Sequence, residues 1–497
     1  MDPSVYPNSR IGRRRRPLQA GPRRRELANH RVRWLLARTD RRVKAAVLLG
    51  ALPLGVAVAA LAGEGGLAIA GAAALGIAAT ALVLASAIVL VTPAAAADRL
   101  AGAARVREVL TPLALDVQGQ ARSRVNVLVP AVDLDHFFGA QICSFNLARR
   151  LSERGLDVRI VATDPVAPPA GPWRERLEAY EGLRGGLGRV EFAFAGDRRP
   201  LEASPRDSFV ATTSWTALLA HDASSLLGRT PFVHLIQEYD PLAFPNGSMG
   251  ALARAAYRLP HRAVFSTEQL AGYFRDHRLG VFGGGDAAPH RDYAIVRNAI
   301  TPLGPVTAKE LAARPPVLVF YARPEPHASR NMFELGLVAL CDAVEDGVFD
   351  PEWSFLGIGS ITPLSPVELP EGRRLELLPR QGQRAYAETL ATGTVGLSLI
   401  DTPHPSLGPI EMASAGLAVV TSTFENKDAA SLRAISPNLL PAEPTPDDLG
   451  AAVRAAVALR ADPEARARGA RIDWPTDWDS AWHDALVERV LSWLDAP

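Results

Sequence analysis

The sequence predicts an α/β protein of two doubly wound parallel-sheet halves that face a cleft, preceded by an N-terminal helical membrane hairpin. Three observations carry that expectation. The chain of 497 residues is too long for one ordinary hydrophobic core. From residue 122 onward, short β-branched runs alternate with helix-periodic segments in two successive series. Before residue 98 lie two uncharged apolar runs, each long enough to cross a bilayer.

The first 44 residues form a basic head dominated by arginine, with runs at Arg13–Arg16 and Arg23–Arg25 and further residues to Arg42. The runs Ala45–Ala62 and Leu67–Val91 follow, separated only by a turn containing Glu64. A bilayer core needs roughly 20 apolar residues per helix, and these runs are apolar all the way round rather than on one stripe. They start too far from Met1, and extend too far, for a cleaved signal peptide. A two-helix hairpin is therefore expected over 45–97, with 98–121 as a linker. Arginines flank both outer ends, which places both on the cytoplasmic side and the catalytic part at the cytoplasmic face of the cytoplasmic membrane. Membrane lipids are the expected partner of the basic head. Nucleic acid is not, because stacking aromatics are scarce there.

Charge over the whole chain nearly cancels, with 54 Lys and Arg against 53 Asp and Glu, so no polyanionic partner is implied. The two cysteines, Cys143 and Cys341, sit in apolar segments that read as core helices and point to a reducing compartment.

In the first half, residues 122–300, the run 124–130 reads as a buried strand. An irregular loop to Phe138 follows, then Gly139 opens a helix over 140–154, and Val158–Ala162 is the next strand: a βαβ unit. Further strands are expected at 208–211, 232–236, 263–266 and 294–296. A linker, 298–314, leads into the second half, 301–497. There strands are expected at 317–321, 353–358, 376–378, 395–399 and 418–421, with helices at 331–343, 384–392 and 409–415. The stretch from Pro446 is helical, and its tryptophans, Trp474, Trp478, Trp482 and Trp493, read as docking residues. Two such halves place the ligand site in the cleft between them.

Three segments carry candidate chemistry. Gly139 begins a helix after a strand, where free amides suit an anion, although a structural turn explains a lone glycine equally well. Arg323 and Arg330 occupy a strand-to-helix loop, where two guanidiniums would clamp a diphosphate and stabilise its charge as it departs. The segment His404-Pro-Ser-Leu-Gly-Pro-Ile-Glu411, ending at Gly416-Leu-Ala-Val-Val420, is the most specific in the chain. The amides of Pro405 to Gly408, with Ser406, Leu407 and Gly408 as the binding candidates, would receive phosphate oxygens. Glu411 would accept a sugar hydroxyl, or simply complement the helix N-terminus.

This last segment resembles the donor-binding element of retaining GT-B glycosyltransferases of the GT4 type. The segments Phe320–Pro324, Arg330–Leu335 and Phe232–Glu238 are similar to those of bacterial dTDP-rhamnose-dependent rhamnosyltransferases, the WsaF-like family, over roughly residues 122–490. The resemblance implies a GT-B fold of two Rossmann-like domains, an N-terminal acceptor domain and a C-terminal donor domain. It further implies Arg323, Arg330 and Gly139 at the donor diphosphate and Glu411 on the nucleotide ribose. The family motif places a second glutamate eight positions before this one, where this chain has Pro403, so His404, Ser406 or backbone groups must make that sugar contact.

The expected reaction transfers a sugar, rhamnose from dTDP-L-rhamnose, to a glycan or lipid-linked acceptor in cell-surface polysaccharide synthesis. It retains configuration and needs neither metal nor cofactor, leaving-group charge being met by the arginines and helix N-termini. Glu238 joins the arginines as a catalytic candidate. Asp133, Asp135 and His136 are acceptor contacts or turn residues, and His136 also counts as a substrate-binding candidate. Two alternatives stand beside this reading: a nucleotide-sugar epimerase on the same fold, and a non-catalytic membrane scaffold with a degenerate transferase domain.

Overall fold

The computed structural model describes residues 102–134, 137–180, 182–283, 293–361 and 365–495. The basic head and the expected hairpin over 45–97 lie outside them, and no described helix is long and apolar enough to cross a membrane. Val106 to Pro497 forms one compact unit.

The first half contributes β1 (Leu115–Val117), β2 (Val125–Val129), β3 (Val158–Ala162), β4 (Glu191–Phe194), β5 (Leu201–Ala203), β6 (Ser208–Ala211), β7 (Phe232–Ile236), β8 (His261–Phe265) and β9 (Tyr293–Ile295). Seven of these build a sheet in the order β4-β3-β2-β6-β7-β8-β9, with every neighbouring pair parallel. The apolar runs follow from this, since β2, β3 and β7 are buried at every residue and a parallel sheet has no solvent face. The strands β1 and β5 pair separately with each other.

The second half supplies β10 (Val317–Tyr321), β11 (Ser354–Ile358), β12 (Val367–Glu368), β13 (Arg374–Leu377), β14 (Val395–Leu397), β15 (Ala418–Ser422) and β16 (Leu439–Ala442). They form a second sheet in the order β12-β13-β11-β10-β14-β15-β16, parallel except for β12 against β13. The helices that matter below are α1 (Gly139–Glu153), α2 (Ser214–Leu226), α3 (Phe333–Glu345), α4 (Gln383–Thr392), α5 (Leu407–Ser414) and α6 (Asp484–Leu494).

Each sheet reverses its strand order beside its first strand, between β2 and β6 and between β10 and β14. Loops leaving the carboxyl ends of strands at such a reversal diverge to opposite faces and open a crevice. The segments singled out in the sequence follow β2, β7, β10 and β14, so the topology explains why the chemistry gathers there.

Two helix starts differ by two residues from the sequence reading. The helix expected from Asn331 begins at Phe333, because Met332 adopts a left-handed conformation (φ 46°). Arg330 thus lies in a 3-10 turn, Pro326–Asn331, and not at an α-helix start. The helix expected from Pro409 begins earlier, at Leu407, since proline in a first turn gives up an amide that has no helical partner anyway.

The chain also crosses back. Trp478, Trp482, Val487 and Val490 sit in the same core cluster as β2, β3 and α1, although residues 301–497 were expected to build the second half. Arg150 of α1 bonds Asp484 at 2.7 Å and its Nε donates to the Trp482 carbonyl at 3.1 Å, so the C-terminal helix is held by charge at its rim and by apolar contact beneath.

Candidate functional site

One cavity of about 870 Å³ lies between the two halves. It collects the residues singled out in both: Gly139, Glu238, Arg323, Arg330, His404 and the segment Ser406–Gly408 with Glu411 all line it. Asp135 and His136 lie outside the described residues. Asp133 is described but does not line this cavity.

Gly139, at the head of α1, lies close to the second half. A Cβ there would stand 2.9 Å from Leu407 Cδ1, the tip of a side chain on α5, so a larger residue would require that leucine to shift where the two helices approach. Two helix N-termini, α1 and α5, are brought to one cavity. Their first-turn amides have no intrahelical carbonyl to bond, and the helix dipoles add positive potential there.

The amides of the 405–408 segment divide more narrowly than expected. Pro405 carries no N–H, and the Ser406 amide donates to His404 Nδ1 at 3.1 Å. The amides of Leu407 and Gly408, the first two residues of α5, are the ones left for an anion. Ser406 itself has φ 64° and ψ 156°, a conformation costly for a residue with a side chain.

Arg323 follows β10 and is buried. Its Nη2 lies 3.0 Å from His327 Nε2, its Nε is 3.4 Å from Glu325 Oε2, and its guanidinium stands 5.5 Å from the centre of the Phe138 ring. Arg380 covers the same ring at 5.0 Å and donates to the Leu134 carbonyl at 3.0 Å. Phe138 is thereby flanked by two guanidiniums, one from each of two loops of the second half.

Arg330 donates from Nη2 to Glu238 Oε1 at 2.9 Å, across the cleft. Glu238 Oε1 also stands 3.8 Å from His404 Nε2. Burial acts to raise the Glu238 carboxyl, but Arg330 and His404 overcome it and hold the group at about 2. Glu238 is accordingly ionised at any physiological pH.

Glu411 is the fifth residue of α5, beyond the first turn in which it was expected. It is buried, and both its oxygens are engaged: Oε1 accepts from the Thr301 amide at 2.8 Å and Oε2 from the Tyr386 hydroxyl at 2.7 Å. Burial raises its carboxyl above the ordinary range against those two bonds. Each carboxylate oxygen has a second lone pair, so a ligand hydroxyl is still accommodated.

Sequence reasoning passed over several lining residues. Gln237 and Asn298 form a buried relay, with Asn298 Nδ2 donating to Gln237 Oε1 at 2.6 Å and Gln237 Nε2 to Cys143 Sγ at 3.3 Å. Tyr386 and Arg380 complete the second-half wall. Arg380 was discoverable as a cation in a loop after a strand, as Arg323 was; Asn298 and Tyr386 carry no local signal.

Two open parallel sheets whose reversal points face one cavity between two halves define the GT-B architecture. The family model described as the WsaF N-terminal domain matches residues 124–268, and that of the WsaF C-terminal domain matches residues 316–454. Together they take in more than half of the chain, which belongs to the WsaF-like GT-B glycosyltransferases. The chain is also 32% identical over 321 residues to the O-antigen biosynthesis protein RfbC of Myxococcus xanthus, a match covering 60% of this chain and 22% of that protein. It therefore spans less than a quarter of that relative's length. Among solved structures, it is similar to a sucrose-phosphate synthase from Thermosynechococcus elongatus at 14% identity and a TM-score of 0.47, over 75% of this chain and 98% of that one. It is similar to WaaG, a glycosyltransferase involved in lipopolysaccharide biosynthesis, at 11% identity and a TM-score of 0.45, over 75% and 98% of the two chains.

Proposed function

We propose that the protein is a glycosyltransferase of polysaccharide or O-antigen synthesis, transferring rhamnose from dTDP-L-rhamnose to a glycan or lipid-linked acceptor. The reading rests on one observation above others: two arginines of one half and two helix N-termini, one from each half, border a single cavity that also holds Glu411. The donor diphosphate would lie against Arg323, Arg330 and the Leu407 and Gly408 amides. These groups would stabilise the charge that grows on it as the glycosidic bond breaks, without a metal. The sugar passes through an oxocarbenium-like state, and the transfer retains configuration. Because a deoxyribose offers only its 3′-hydroxyl, Glu411 orients the nucleotide without demanding a 2′-hydroxyl.

The uncharged runs over 45–91 and the arginines around them support an anchor in the cytoplasmic membrane, with the cavity on the cytoplasmic face beside a lipid-linked acceptor. Calorimetric titration of the detergent-solubilised chain tests the donor. Binding of dTDP and dTDP-rhamnose should exceed that of UDP and UDP-glucose. Tighter binding of the uridine compounds would remove the rhamnose donor and leave the glycosyltransferase reading standing.

A further inference from the structure

The cleft carries an anion of its own in the place assigned to the donor. Glu238 leaves the carboxyl end of β7 in the first half, while Arg330 and His404 come from loops after β10 and β14 in the second, so the 2.9 Å ion pair bridges the two halves. The pair is not sealed: roughly a third of the Arg330 side chain and a quarter of that of Glu238 remain exposed, and both line the cavity. Among the described residues, Arg330 Nε and His404 Nε2 are buried without a hydrogen-bond partner, so the atoms around the carboxylate have bonding capacity that a single carboxyl oxygen does not use. A diphosphate carries more charge and more acceptor oxygens than a carboxylate and would meet a guanidinium at two points.

We infer that Glu238 is an internal competitor of the donor diphosphate: it holds Arg330 across the cleft until the donor takes the guanidinium over, and the released carboxylate then faces the acceptor side. This rests on the glycosyltransferase reading above. Until the exchange, Glu238 neutralises a cation that would attract stray anions. After it, Glu238 loses its nearest positive partner, and burial, which already acts to raise its carboxyl, is opposed chiefly by His404. Its oxygens become free to accept a hydrogen bond from a sugar hydroxyl. Donor binding would therefore precede productive acceptor binding.

The test titrates thymidine and uridine diphosphates, with thymidine and uridine as phosphate-free controls, into the full chain and into Glu238→Gln and Glu238→Ala. Removing the competitor should tighten nucleoside diphosphate binding about two- to fivefold, the size expected of a partly exposed ion pair, and leave the nucleosides unchanged. Glutamine preserves the shape of the side chain, so it reads the same effect if the alanine variant folds poorly, and melting curves establish which variants are folded. Unchanged or weaker diphosphate binding in a folded Glu238→Gln protein overturns the proposal, because a simple tie between the halves or a direct sugar contact gives that result. If the unaltered chain binds neither diphosphate, the donor reading falls and this inference with it.

Discussion

At the scale of single residues, the buried carboxylate Glu411 shows how a binding group is built into a core. Its two oxygens hold the Thr301 amide and the Tyr386 hydroxyl, and they join the segment entering the second half to α4 and α5. Deleting the side chain strands both donors, and a buried polar group left unpaired costs about 1–3 kcal/mol. Glu411→Ala should therefore lose roughly 2–4 kcal/mol in denaturant unfolding by the same rule, while Glu411→Gln, which keeps an acceptor and sheds a charge that burial disfavours, should stay within about 1 kcal/mol of the original. Equal losses in the two variants would show that the carboxylate charge, not hydrogen bonding, holds this junction.

His234 poses the opposite problem. It is buried in the middle of β7, stacked on Tyr257 with ring centres 5.4 Å apart, and neither ring nitrogen has a hydrogen-bond partner among the described residues. Burial, then the neighbouring His261, pushes its pKa well below the ordinary value of 6.5. The folded protein then binds fewer protons than the unfolded chain below that value. Stability is complete above about pH 6.5 and falls as pH drops, by at most about 1.4 kcal/mol per pH unit for one such group. Unfolding free energy measured from pH 7.5 to 5 should decline less steeply in His234→Phe. Parallel profiles would exclude His234 as the source.

At the scale of elements, the central strands were legible because a parallel sheet buried on both faces demands continuous apolar runs. The spans of β3, β6, β7 and β10 in the sequence are the ones the structure shows. Of the four edge strands of the two seven-stranded sheets, β9 was read to within one residue and the other three were not legible. β4 begins with an exposed glutamate, β12 has two residues, and β16 contains Pro441, which reads as a breaker but is tolerated because β16 is an edge strand with no neighbour on one side. The lining of the candidate site was legible where a loop follows a central strand, as for Arg323, Arg330 and His404 to Gly408. The pairing of Glu238 with Arg330 was not, because it depends on how the halves face each other. The same holds for α6, whose amphipathic pattern says that it docks but not on which half. Trp482, fully buried beneath α1 with its Nε1 donating to the Cys143 carbonyl at 3.2 Å, anchors that crossing. Trp482→Ala should cost about 3–5 kcal/mol, the usual range for a large aromatic removed from a core. In limited proteolysis the first half should become cleavable before the second, and simultaneous loss of both would mean that the two halves unfold as one.

At the scale of the whole molecule, the compact unit beginning at Val106 contains both sheets, the cavity and the returning helix α6, and its core clusters draw on residues from 113 onward. Folding and nucleotide binding should need nothing upstream. Attachment, by contrast, is proposed for residues 45–91, which lie outside the described residues, since no later stretch of the sequence offers an uncharged run of comparable length. The two properties should separate in a chain lacking residues 1–97. That chain should melt cooperatively and bind nucleoside diphosphate as the full chain does, yet stay in the supernatant when centrifuged with anionic lipid vesicles. The intact chain should remain with the lipid through a high-salt wash, because burial of apolar helices, unlike attraction of arginines to headgroups, is not screened by salt. Release of the intact chain by salt would assign attachment to the basic head alone. Sedimentation of the truncated chain with washed vesicles would place the anchor after residue 97.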